Sequence, residues 1–132
     1  MRWICISFAD FSHLNKEIFR CISEDIRTDE VIITEERIQH VNDRHPGEHE
    51  KIKEYLKEAV ENPDYIIADK HPDTGLIIKE IKTEDTYIQL VLRVCTSKDE
   101  IEFKNSVISL WEISERRLQN YLRNKSILYK RK

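Results

Sequence analysis

A chain of 132 residues with a formal net charge of −3, two glycines and three prolines is long enough to bury one hydrophobic core, and its composition excludes a disordered or fibrous protein. The acidic balance argues against indiscriminate nucleic-acid binding, and no apolar stretch approaches the length of a membrane span. Three cysteines, Cys5, Cys21 and Cys95, are an odd number set in apolar runs, which fits reduced, buried thiols in a cytoplasmic protein.

In chain order, residues 3–8 and 17–22 read as two short strands around a polar turn at 10–15, either a hairpin or an edge extension of a larger sheet. The apolar start is broken at Asp10, too early for a secretory signal. Residues 23–30 are a polar connector. Val31, Ile32 and Ile33 are β-branched, Thr34 can cap a helix, and Glu35 and Glu36 suit its first turn, so residues 31–46 form a strand leading into a helix that Pro46 and Gly47 end. On that helix Ile38, Val41 and His45 share one face, while Arg37, His40 and Arg44 form a neighbouring basic stripe. Residues 48–61 form a second helix, with Ile52, Tyr55, Leu56, Ala59 and Val60 on its apolar side and Asn62-Pro63 at its end.

Four strands follow, at 64–69, 75–81, 86–95 and 105–113, with turn signals at 71–75 and 83–85. Their connections are too short for crossover helices, so they are read as an antiparallel sheet. Ile88, Leu90, Leu92 and Val94 alternate with Tyr87, Gln89, Val91 and Arg93. In the last strand Ile108 and Leu110 are expected on the core side, with Val107, Ser109 and Trp111 opposite. Lys79, out of phase with Ile78, is expected to join Arg93 and Ser109 on the second face. A final amphipathic helix from Ser114 groups Leu118, Tyr121 and Leu122, and the chain closes with Ile127, Leu128 and Tyr129 as docking residues. Residues 114–132 carry seven basic side chains against Glu115 alone, an asymmetry that permits a local phosphate-binding face or simply a solvated helix and tail.

Five histidines raise the question of a metal, but their spacing does not support one. His45 and His49 are separated by the Pro46-Gly47 break, and His40 and His45 stand about 140° apart on a helix. Gly-rich phosphate loops and Ser/His/Asp signatures are absent. What remains is a cationic set: His40 with Arg37 and Arg44 on a helix, and Lys79, Arg93 and Ser109 on strands. Those groups suit RNA cleavage without metal or other cofactor. A 2′-hydroxyl is the nucleophile, His moves a proton near neutral pH, and Arg and Lys stabilise charge building on phosphorus. Residue by residue, a core histidine and solvated strand cations explain the same pattern.

The segments VIITEERIQHVNDRHP, ENPDYIIAD, LIIKEI, IQLVLRV, KNSVISLWEI and LRNKSILYK occur in order across residues 31–130. In combination they resemble the phage and mobile-element family of barnase/EndoU/colicin/RelE-like nucleases, PBECR. The resemblance implies an α+β fold in which two helices pack on one face of a four-stranded antiparallel sheet, with a C-terminal helix and the opposite face as active site. It also divides the single domain into a nuclease-like core at 31–132 and an N-terminal extension or hairpin at 1–30. A metal-independent endoribonuclease is implied, with RNA as partner, a toxin or phage effector role, and an antitoxin or immunity protein as a further partner.

The matching positions are His40, Arg44, His45, Lys79, Arg93, Asn105 and Ser109, the last standing where Thr is expected in many relatives. The roles implied are His40 as general acid or base, Lys79 and Arg93 as clamps on phosphate, and Ser109 as an orienting donor. His45 positions the helix. Arg37, Arg44 and Asn105 then bind substrate, and Tyr121 and Tyr129 either stack a base or pack the C-terminal helix. A noncatalytic nucleic-acid-binding or accessory protein of a mobile element is the competing reading from a different class.

Overall fold

In the computed structural model, which describes residues 5–7, 13–34, 49–81, 86–101 and 103–131, the central strands fall where alternation of apolar residues places them. They are β3 (Tyr65–Ala68), β4 (Thr74–Ile81), β5 (Thr86–Arg93) and β6 (Asn105–Ile113), joined to their neighbours in antiparallel register. The turn before β4 holds Asp73 at φ 56°, a left-handed conformation that a short polar side chain tolerates, and Asp69 Oδ2 accepts the His71 amide there.

The sheet is larger than four strands. Three more extend it: β1 (Cys5–Ser7), β2 (Val31–Thr34) and β7 (Ile127–Lys130). The order is β1-β2-β6-β5-β4-β3-β7. Of these neighbours β2 and β6 are parallel, with Val31 beside Asn105 and Ile33 beside Val107. The four expected strands are antiparallel to one another, but the sheet has seven strands and, with the β2–β6 pair, is mixed. A parallel pair needs a long crossover, and the whole stretch between β2 and β6 supplies it. The α+β class holds.

The N-terminal hairpin is also corrected. β1 pairs with β2, and residues expected as its partner form a short helix, α1 (Lys16–Phe19). Asn15 decides this locally, because its Oδ1 accepts the amides of Glu17 (3.0 Å) and Ile18 (3.4 Å) and so caps the first turn. Leu14, Ile18, Phe19 and Ile22 then recur at helical spacing and pack into one core. Gly75 makes room for this segment, since a Cβ there would stand 2.7 Å from Ile22 Cδ1. The sheet's first face is covered by α1 and by α2 (His49–Glu61), which lays Leu56, Ala59 and Val60 on Ile77, Ile81, Ile88, Leu90 and Leu92.

The second face is not left open. α3 (Glu115–Asn124), capped by the Ser114 side chain on the Arg117 amide, presses Leu118 against Ile67, Leu76, Ile78 and Ile113. The run LIIKEI in β4 is apolar on both sides because both sides are buried. Helices therefore flank both faces, and on the second face Val91 and Arg93 of β5 and Ser106, Ser109 and Trp111 of β6 are half-buried. Among the described residues no helix is long and apolar enough to cross a membrane.

Candidate functional site

A bulge in β6 shapes that half-buried part. The register shifts between Val91 and Leu92, so Leu92 faces Val107 while Val91 faces Ser109, and Ile108 is the extra residue. Val107 is buried in the core and Ile108 is exposed, the reverse of the expectation for both. Strict alternation could not show this, because one inserted residue inverts the pattern beyond it. On the near side of the bulge Ser106 faces Arg93; on the far side Ser109 faces Val91 and Trp111 faces Gln89. Arg93, Ser109 and Trp111 thus share one face.

Lys79 does not join them. It faces Ile88, among the apolar residues of the helix-covered side, and is 8% exposed. Its Nζ donates to the Asn62 carbonyl just past the end of α2 (2.9 Å) and lies 3.7 Å from Asp64 Oδ1. Cations are favoured at a helix C-terminus, so the environment gives this lysine a structural partner. Arg131 stands 3.4 Å from the same Asp64 oxygen.

Arg93 is on the expected face and is held there by an acidic partner. Its guanidinium donates to Asp99 Oδ1 at 2.6 Å and lies 4.5 Å from the centre of the Phe103 ring, with 31% of the side chain exposed. Asp99 also accepts the Thr96 amide at 2.8 Å. The Thr96 amide and the Arg93 guanidinium together hold the Asp99 carboxyl below its ordinary value. Asn105, expected to bind substrate, is fully buried: its Oδ1 accepts the Cys95 amide, and its Nδ2 donates to the carbonyls of Thr28 and Glu30. It ties the start of β6 to the segment that leads into β2. Tyr121 packs beside Leu118 on the second face with Lys125 Nζ 5.5 Å from its ring centre, whereas Tyr129 packs against the core of the first face. The two tyrosines do not share a surface.

Arg37, His40, Arg44 and His45, the helix expected to carry them, its Pro46-Gly47 stop and the 83–85 turn lie outside the described residues. The strand that leads to them is described. β2 ends at Thr34, one residue past the Ile33–Val107 pair. Among the described residues no group of three His, Cys, Asp or Glu side chains is placed to hold a metal ion.

Two features lie outside the expected site residues. Gln89, 1% exposed on the second face, has an Oε1 atom with no hydrogen-bond partner. A single polar residue in an alternating strand carries no signal of that. The other is an open depression of about 420 Å³ lined by Ser114, Arg116, Arg117, Asn120 and Arg123 on α3. Its signal was the i, i+4, i+7 spacing of Arg116, Asn120 and Arg123.

A mixed sheet flanked by helices, with a polar and cationic strip on one face, is an architecture that can present a phosphodiester to side chains. A family model described as phage-Barnase-EndoU-ColicinE5/D-RelE like nuclease2 matches residues 8–130, nearly the whole chain. The chain belongs to this nuclease family, and a nucleic acid is the substrate class that the family implies. No curated protein and no solved structure matches the chain.

Proposed function

We propose that the protein is a metal-independent endoribonuclease that cleaves RNA by attack of a 2′-hydroxyl on the adjacent phosphorus. The observation that carries this reading is the bulge in β6, which sets Ser109 on the sheet face that also carries Arg93. β2, which precedes the segment bearing His40 in the sequence, pairs with the start of β6 as far as Val107. In the reaction a base takes the 2′-hydroxyl proton, the 2′-oxygen bonds to phosphorus, and the 5′-oxygen leaves with a proton from an acid. The products are a 2′,3′-cyclic phosphate and a 5′-hydroxyl. His40 supplies one of the two proton transfers, a role that an imidazole fills well, and Ser109 orients a phosphate oxygen. Arg93 contributes positive charge near the developing dianion, with Asp99 fixing its orientation. Arg37 and Arg44 bind flanking phosphates and His45 positions its own segment. Lys79 has no part in contacting substrate on this reading, because its amine is committed to Asn62 and Asp64 on the other side of the sheet. The biological setting is that of a cytoplasmic phage or mobile-element effector restrained by an antitoxin or immunity protein.

The engagement of both Lys79 and Arg93 in internal ion pairs favours a second reading, a noncatalytic RNA-binding protein of the same family. One assay separates the two. Purified protein is incubated with total RNA in excess EDTA beside His40→Ala and Ser109→Ala variants, and product ends are examined. Cleavage to 2′,3′-cyclic phosphate that persists in EDTA, disappears in His40→Ala and falls in Ser109→Ala supports the nuclease. RNA that is bound and left whole by the wild type supports the second reading, and cleavage abolished by EDTA rules out the metal-independent mechanism.

A further inference from the structure

The arginines of α3 are arranged differently from Lys79, Arg93 and Arg131, each of which has a carboxylate partner. Leu118, Tyr121 and Leu122 turn toward the sheet, and Leu118 is buried against Ile67, Leu76, Ile78 and Ile113. With that side fixed, Arg116, Asn120 and Arg123 project away from it at i, i+4 and i+7, Arg117 stands beside them, and all four are exposed. No carboxylate occupies an i±3 or i±4 position within the helix, and none of the three guanidinium groups has an acidic partner among the described residues. A solvated helix face ordinarily interleaves both signs. Here positive charge is concentrated in a chain whose net charge is −3.

Length and position both bear on what such a row would hold. From Arg116 to Arg123 the helix rises about 10 Å, room for more than one anionic group. Guanidinium forks bind phosphate oxygens in pairs, a geometry that an ammonium does not reproduce. The row also rides on the second face, the face that carries Arg93 and Ser109. α3 follows directly on the end of β6 and packs Leu118 against Ile113 of that strand as well as Ile67 of β3 and Leu76 and Ile78 of β4, so the row lies on the same face of the sheet as the strip.

We propose that the outer face of α3 is an exosite for the phosphodiester backbone of the nucleic acid, gripping nucleotides that flank the strip at β5 and β6. The proposal rests on the nuclease reading for its occupant, but not on turnover. Arg116, Arg117 and Arg123 neutralise backbone phosphates, and Ser114 and Asn120, which also line the depression, add hydrogen bonds. Because the contacts are to backbone and not to base edges, the grip is indifferent to sequence and sensitive to salt.

The test uses the full chain and a fluorescent 20-nucleotide 2′-O-methyl oligoribonucleotide, which lacks the nucleophile and so reports binding alone. Binding is titrated over a range of salt concentrations for the wild type, for combined Arg116→Glu, Arg117→Glu and Arg123→Glu, and for the same three positions changed to Lys. A control reverses three exposed cations elsewhere, Lys16→Glu, Arg20→Glu and Lys57→Glu, matching the change in net charge. The α3 reversal is expected to weaken binding by at least about tenfold near 0.1 M salt and to reduce the slope of log K against log salt by about 2, since each single-strand phosphate contact contributes about 0.7. The Lys set keeps the slope, and the control set keeps both slope and affinity.

Equal losses in the α3 and control reversals overturn the proposal, as does an α3 reversal that binds like the wild type. A poly-Glu chain that competes with the oligonucleotide at equal charge concentration overturns it as well, assigning the row to an acidic polypeptide. Cleavage of unmodified RNA is followed in parallel. If the wild type cleaves nothing while the binding results hold, the catalytic reading fails and the exosite stands. If cleavage proceeds and the α3 reversal changes neither binding nor cleavage of a 20-mer, the exosite fails alone.

Discussion

Arginine does different work at two places in this molecule. Around the start of β6, Arg27 donates to the carbonyls of Asp99 (3.1 Å), Glu100 (2.7 Å), Ile101 (3.0 Å) and Phe103 (2.7 Å), and Arg93 pairs with Asp99. Beside them Asn105 satisfies three backbone groups and Asp25 accepts the Ser97 amide. On α3, Arg116, Arg117 and Arg123 have no such partners among the described residues. The first group spends its charge on holding a loop; the second keeps its charge for something outside the chain. Formal charge cannot distinguish them, because what matters is whether carbonyls and carboxylates converge on the guanidinium in the folded state.

That contrast breaks most visibly at Asn105. Asn105→Ala leaves one buried amide and two carbonyls without their partners, and it is expected to destabilise the fold by about 3 kcal/mol, read from urea denaturation. Arg27→Ala follows at roughly 1–2 kcal/mol, since its carbonyl partners lie nearer water, with faster amide exchange in the loop at 96–103 as the local signature. Gln89→Leu is expected to act in the opposite direction. It removes an acceptor that is buried without a partner and is expected to raise stability by about 1 kcal/mol in the same denaturation experiment.

A smaller effect is tied to pH. Asp99 has its carboxyl held below the unfolded value, so the stability it contributes is present above about pH 4, the ordinary carboxylate range, and is lost as pH falls through the lower folded-state value. Unfolding midpoints measured from pH 6 to pH 2 are expected to fall on the acid side, less steeply in Asp99→Asn. Asp25 is also held low, by the Ser97 side chain and amide. At Asp69 burial pushes the carboxyl up, but bonds from His71 outweigh it and the net direction is down. Part of the acid dependence therefore survives the Asp99 change. The smallest expected effect sharpens the comparison from the other side: reversing the three α3 arginines is expected to shift stability by less than about 0.5 kcal/mol, because none supports a contact within the described fold.

Where local spacing is enough, the chain is legible without its structure. β6 has the bounds read from its alternation, and β3, β4, β5, α2 and α3 lie within a residue or two of theirs. Amphipathic period and caps are properties of neighbours in sequence, and Ser114 before Glu115 carries the start of α3 in plain form. The same local reading failed at residues 17–22, where short alternation suggested a strand and the Asn15 cap with apolar residues four apart made a helix. It also left residues 127–130 as loose docking residues, although they form an edge strand on β3.

The candidate site was legible as a list of residue types and not as an arrangement. His40, Arg93 and Ser109 could be chosen from chemistry, but the face on which a strand side chain falls depends on register, and one bulge at Ile108 resets it. Lys79 was out of phase with Ile78 as expected, and that phase put it on the helix-covered face. Sequence by itself therefore determined the α+β class, the central strands, the two longer described helices and the kinds of side chain available to act on a phosphodiester. Tertiary structure alone decided that β2 runs parallel to β6, that α3 shields half of the second face, and that Arg93 is paired while Arg116, Arg117 and Arg123 are not. The physical reason is range: spacing and capping act within a few residues, whereas strand pairing and the convergence of carbonyls on a cation join residues up to 77 apart in the chain.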